Sequence, residues 1–168
     1  MARIINNLSL DVIEETAAKA RANNGSIPVE KEITGTFHLS GSPMFTATLH
    51  TDYSDFLIGC DEPSPLGGKG VRPSPLTYML YGVLACYSST LAIQCATDGI
   101  ELRELKVKGT LSYDIGPLVV EKDVPIIKKL KIEVSSDRNI GKQVAAARKK
   151  CPAVFAVEHP VETEILQV

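Results

Sequence analysis

Residues 75–98 constrain this chain more than any other segment: they form a long run that is apolar around most of a helical circumference. Ser74 can cap the run, Pro75 suits the first helical position, and Gly99 suits the position just past the end. Such a helix would extend about 36 Å at 1.5 Å per residue. A helix apolar on nearly all sides has to be buried on several of them. A single small domain rarely surrounds so long an element, so a homodimer that wraps it from both sides is the natural expectation. Thr77, Ser88, Ser89, Thr90 and Gln94 interrupt the run, so it does not read as a membrane span.

The 168 residues around this helix suggest one α+β domain, residues 31–168, preceded by a helical extension over residues 1–30. Residues 9–23 predict a helix: Ser9 is a plausible cap, acidic residues come early, and Lys19 and Arg21 come late. Residues 32–39, 44–53 and 55–58 predict strands, with Ser40–Gly41–Ser42–Pro43 as a turn. Residues 59–74 predict a loop rich in Gly and Pro. Its Gly67–Gly68–Lys69–Gly70 lacks the Ser or Thr that a phosphate-binding loop places after the lysine. Alternation predicts strands within 101–114 and 127–135. Residues 137–150 predict a second helix with Ile140, Val144, Ala145 and Ala147 inward, ended by Cys151–Pro152. Residues 161–168 predict a closing strand.

A net charge of −2 and scattered basic residues argue against a general nucleic-acid binder. The short clusters Lys128–Lys129–Lys131 and Arg148–Lys149–Lys150 are expected to be solvated faces. No apolar leader follows Met1, so a cytoplasmic protein is expected. Four cysteines without a CxxC pair, and no histidine at ligand spacing, speak against a disulfide scaffold and a structural zinc site.

Among the thiols, Cys86 and Cys95 are nine residues apart on the central helix. At 100° per residue they face opposite ways, about 13 Å apart along the axis, and cannot bond to each other. Cys95 is expected to fill core space and Cys60 to be an incidental loop thiol. Gly82, near Cys86 and unfavourable inside a helix, suggests close approach by another backbone. Cys151, where Pro152 redirects the chain, is the remaining candidate partner for Cys86, although sequence spacing alone specifies no contact between them.

Asp61–Glu62–Pro63, Leu66–Gly67–Gly68, Pro73–Ser74–Pro75–Leu76 and Leu84–Ala85–Cys86 resemble the OsmC/Ohr family. The resemblance continues through Gly99–Ile100, the strand through Val107, the second helix and Cys151–Pro152, and so covers about residues 30–168. It implies an intertwined α+β homodimer whose long buried central helices are wrapped by antiparallel sheets from both chains, with active sites at the subunit interface. It further implies thiol-dependent reduction of organic hydroperoxides, with Cys86 attacking the peroxide and Cys151 resolving the product. A dithiol or a lipoylated protein would then restore the thiols, and no metal, flavin or haem is required. The implied partners are a second copy, the hydroperoxide and the reductant, with no nucleic acid and no membrane.

In one respect the chain departs from the family. The peroxidase members carry a glutamate at the start of the central helix, paired with an arginine that activates the thiol. Here Leu76 occupies the matching position, Thr77 follows, and no arginine lies between Lys31 and Gly70. Arg72 is the best substitute by chain position, ahead of His50 and Glu62. The alternative is therefore a family member that binds a small molecule or thiol compound without peroxidase activity, in a pocket that Tyr78, Tyr81 and Tyr87 could line. A further alternative is a purely structural dimer whose cysteines only fill space.

Overall fold

The structure, a computed structural model, describes residues 3–121 and 123–167. Its elements in chain order are β1 (Ile4–Ile5), β2 (Leu8–Ser9), α1 (Leu10–Ala22), β3 (Gly35–Phe37), β4 (Phe45–His50), β5 (Asp55–Cys60), α2 (Pro75–Thr97), β6 (Leu105–Tyr113), β7 (Ile127–Ser136), α3 (Gly141–Lys150) and α4 (Pro152–Glu158). The fold is α+β, with all strand pairs antiparallel. The chain clusters into two compact units. One comprises the chain up to Ala18 together with the segment from Gly82 onward; the other is Lys19–Tyr81.

The first unit contains the core. Along α2, Val83, Tyr87, Leu91 and Cys95 recur at four-residue steps and form one buried stripe. They pack with Ile140, Ala147, Cys151 and Val154, and against Leu105, Val107, Leu130, Ile132 and Val134 on the inner face of the β6–β7 ribbon. That ribbon pairs Leu105 with Ser136 through Leu111 with Leu130, and its apolar and charged residues alternate as a half-buried sheet requires. Gly99 ends α2 in the left-handed conformation at φ +70°, and the Ile100 N–H donates to the Cys95 carbonyl at 2.8 Å. At the start, the Thr77 N–H donates to Ser74 Oγ at 3.3 Å, as the expected cap requires.

The chain by itself buries less of α2 than the sequence predicts. Tyr81 is 70% exposed, and nothing outside the helix's own backbone lies within 4 Å of where a Gly82 side chain would begin. The close approach expected at Gly82 is therefore not made by any of the described residues. By length and apolar composition α2 would also suit a membrane, but its buried stripe packs against the chain's own strands and helices.

Several elements differ from expectation. The hairpin β1–β2 was not anticipated: Asn6 and Asn7 both take positive φ at its two-residue turn. The Asn6 side chain then donates to the Ile100 carbonyl and accepts from the Leu102 N–H. α3 begins at Gly141 rather than Asp137, because the Asp137 carboxylate accepts the N–H groups of Arg103 and Glu104 instead of capping a helix. Ala145 is exposed, not inward. Residues 161–167 form no strand, although Val161, Thr163 and Ile165 alternate with Glu162 and Glu164; none of the chain's own sheets takes them up. Val168 lies outside the described residues.

The Lys19–Tyr81 unit is a three-stranded sheet in the order β3–β4–β5. Its register sets Phe37 opposite Phe45 and Phe45 opposite Cys60, so these three side chains form one row on one face. A Cβ at Gly35 would lie 2.0 Å from the Phe45 ring, so the ring occupies its present place only because residue 35 has no side chain. Cys60 thus ends a strand rather than sitting in the loop. Residues 61–74 then turn around Asp61, a residue only 1% exposed whose carboxylate accepts from Ser42 Oγ, the Met44 N–H and the Val71 N–H.

Candidate functional site

In the first unit, α3 stops at Lys150 because Pro152 excludes helical backbone at the residue before it. Cys151 accordingly adopts φ −75°, ψ 117°, between the two helices. Its N–H donates to the Ala147 carbonyl, closing α3, and its carbonyl accepts from the Phe155 N–H, opening α4. This corner turns the Cys151 thiol toward the middle of α2, where its Sγ lies 3.5 Å from Cys86 Sγ. Cys151 is fully buried and Cys86 is half-buried. Both thiols are reduced, and the separation leaves them in contact but unbonded.

Burial pushes the Cys86 thiol above its ordinary pKa, and the neighbouring Cys151 thiol adds to the rise. The backbone N–H of Ala153, in the first turn of α4, acts in the opposite direction. None of the influences on Cys86 is a cation. At the start of α2 there is no acidic residue, and Leu76 is half-buried there. Arg72 is exposed in the loop of the other unit.

The other predicted residues are dispersed. Cys95 is fully buried in the core, as a filler thiol is. His50 pairs with Asp55 across the exposed β4–β5 turn at 2.7 Å. The three helix tyrosines do not share a pocket. Tyr87 is buried and donates to the Val144 carbonyl at 3.2 Å, Tyr81 is exposed, and Tyr78 donates to the Gly59 carbonyl at 3.0 Å. Tyr78 and Tyr87 are nine residues apart, which places them on opposite helix faces. In the basic clusters Lys128 pairs with Asp114, Lys131 with Glu133 and Arg148 with Glu158, as expected for solvated faces.

The sequence did not reveal a cavity of about 440 Å³ in the Lys19–Tyr81 unit. Phe37, Met44, Phe45, Ile58, Pro75 and Tyr78 are among its lining residues, as are Cys60, Asp61 and Glu62. The signal lay in strand register, which pattern alone does not fix. Among the described residues, no cluster of His, Cys, Asp or Glu could hold a metal ion.

Two thiols in contact, one on a long central helix and the other at a helix corner beside an antiparallel ribbon, define a dithiol site in an α+β protein. The family model for OsmC-like proteins matches residues 67–166, and the chain belongs to that family. Solved structures agree on the fold. An OsmC-like protein from Mycoplasma pneumoniae shares 20% identity at a TM-score of 0.56, over 79% of this chain and 89% of that one. An organic hydroperoxide resistance protein OsmC from Legionella pneumophila shares 17% identity at 0.57, over 77% and 91%. An organic hydroperoxide resistance protein from Elizabethkingia anophelis, with thiocyanate bound, shares 17% identity at 0.53, over 78% and 91%. No curated protein matches the chain.

Proposed function

We propose that this protein serves in the response to oxidative stress by reducing organic hydroperoxides through a Cys86–Cys151 cycle. The 3.5 Å contact between the two sulfurs carries this reading; family membership and the hydroperoxide resistance proteins among its structural relatives support it. The Cys86 thiolate attacks one peroxide oxygen. The O–O bond breaks, the alcohol leaves, and Cys86 becomes a sulfenic acid. The Cys151 thiol, which starts 3.5 Å from the Cys86 sulfur, then displaces water to give a disulfide. A dithiol, free or carried as a lipoyl group, reduces the disulfide by exchange and is itself oxidised. The protein works in the cytoplasm as a homodimer, and the reaction needs no metal or organic cofactor.

One observation favours a second reading, a binding protein without peroxidase activity. Burial raises the Cys86 thiol above its ordinary pKa, and no cation among the described residues offsets that rise. The deciding experiment treats the reduced protein with cumene hydroperoxide and, in parallel, hydrogen peroxide, and locates any disulfide by mass spectrometry. The peroxidase reading expects a fast, stoichiometric Cys86–Cys151 bond with the organic peroxide. If no bond forms, or only Cys60 oxidises slowly, the binding reading replaces it.

A further inference from the structure

Cys86 and Cys151 meet only while α3 keeps its place on α2. Cys151 is fully buried at the α3–α4 corner, so its side chain has little room to search for a partner. A disulfide needs the sulfurs about 2.05 Å apart, and here they start at 3.5 Å. The backbone that carries Cys151 therefore sets the remaining approach. A displacement of about 1 Å at a reacting pair can cost about a hundredfold in rate.

Among the described residues, three polar contacts hold α3 against α2 and the turn beyond it. Gln143 Nε2 donates to Asp98 Oδ2 at 2.7 Å, Lys150 Nζ donates to Gln94 Oε1 at 2.8 Å, and the Tyr87 hydroxyl donates to the Val144 carbonyl at 3.2 Å. The first two grip the C-terminal end of α2. The third acts beside the thiol, because Tyr87 directly follows Cys86. Its ring is buried in the same core cluster as Ile140, Ala147, Cys151 and Val154. Burial, and after it Cys151, push the Tyr87 phenol above its ordinary pKa against the pull of Arg148, so the hydroxyl remains a donor wherever cysteine thiols titrate.

We propose that Tyr87 is the positioning residue of the dithiol: its hydroxyl, bonded to the Val144 carbonyl, holds α3 so that Cys151 stays within reach of Cys86. Val144 stands about two helical turns before Cys151. The Cys151 N–H closes that same helix on the Ala147 carbonyl, so one continuous segment joins the contact to the thiol. Without the contact, closing the disulfide would first cost the ordering of α3. This role rests on the reading of Cys86 and Cys151 as a redox pair, though not on peroxide as the oxidant.

The test equilibrates the full chain with glutathione buffers of graded redox ratio and quantifies the Cys86–Cys151 disulfide by mass spectrometry. The two protein thiols close into a disulfide and pass two electrons and two protons to oxidised glutathione, which leaves as two thiols. Tyr87→Phe should lower the equilibrium constant for closure about fivefold, the worth of one hydrogen bond. Ser88→Ala, which removes a hydroxyl bonded to the Leu84 carbonyl within α2 itself, should leave the constant unchanged. Replacement of Tyr87 by 4-aminophenylalanine keeps a donor and should restore the wild-type value. Replacement by 4-methylphenylalanine, which has the shape of tyrosine without the donor, carries the test if the Phe variant fails to fold. An unchanged constant in Tyr87→Phe, an equal fall in Ser88→Ala, a constant that the amino group does not restore, or no Cys86–Cys151 disulfide in oxidised glutathione would each overturn the proposal. Closure with glutathione but not with cumene hydroperoxide would count against peroxide reduction alone, and the fivefold fall would still establish the role of Tyr87.

Discussion

Burial and the neighbouring thiol both raise Cys86, so its thiolate is scarcer at neutral pH than that of an ordinary cysteine. The rate of Cys86 oxidation by cumene hydroperoxide should therefore climb about tenfold per pH unit and level off only above the range of an ordinary cysteine. Stopped-flow rates across pH 6–10 check this, and a plateau below pH 7 would mean that some group activates the thiol. Ala153→Pro, which removes the one N–H that favours the thiolate, should move the plateau further up. Asp61 shows the opposite sign. Its carboxylate is held below the ordinary range, first by Ser42 and also by the N–H groups of Met44 and Val71. A depressed folded pKa contributes stability that is present above the unfolded value of about 3.9 and is lost as pH falls through the folded one. Asp61→Asn should thus lower the melting temperature at pH 7 and leave a smaller loss on acidification than the wild type shows. At this scale the sequence marked Cys86 and Cys151 as candidates, but only the resemblance paired them. Asp61 stood within a quoted motif, while its three acceptor contacts come from residues distant in the chain.

The elements explain which parts of the fold were legible. α2 announces itself because cap, first-turn proline and terminal glycine all agree with one apolar run, and the structure places Pro75–Thr97 almost where those signals end. The β6–β7 ribbon is legible for the same reason, through alternation of apolar residues with charged and polar ones. α4 was missed because Pro152 signals the end of one helix and also suits the first position of the next. The β1–β2 hairpin was missed because two residues per strand leave no period to detect. Where α2 joins the core, Leu91 has no exposed surface. Leu91→Ala should cost about 2–5 kcal/mol in a urea unfolding experiment, which is a large share of the stability of a domain this size. The same change at the half-buried Leu80 should cost clearly less.

At the scale of the whole molecule, the chain leaves large apolar side chains in water. Tyr81 on α2, Leu57 on β5 and Ile165 in the C-terminal segment are all more than two-thirds exposed. The sequence argued that a helix apolar on nearly every side needs company on every side, and among the described residues only Val83, Tyr87, Leu91, Cys95 and Ala96 of α2 are buried. We infer that a second copy covers the rest. In a symmetric dimer each surface residue is presented twice, so one substitution acts at two places. Light scattering after size exclusion should accordingly give the mass of two 18.1 kDa chains for the wild type. Tyr81→Arg, which places a charge on the exposed side of α2, should shift the population toward one chain without changing the far-ultraviolet circular dichroism. A wild type that runs as a monomer at micromolar concentration would remove the dimer from the functional reading. Any peroxide chemistry would then have to be complete within the Cys86–Cys151 unit of one chain. Restoration of organic peroxidase activity at high protein concentration in the Tyr81→Arg variant would instead tie assembly to catalysis.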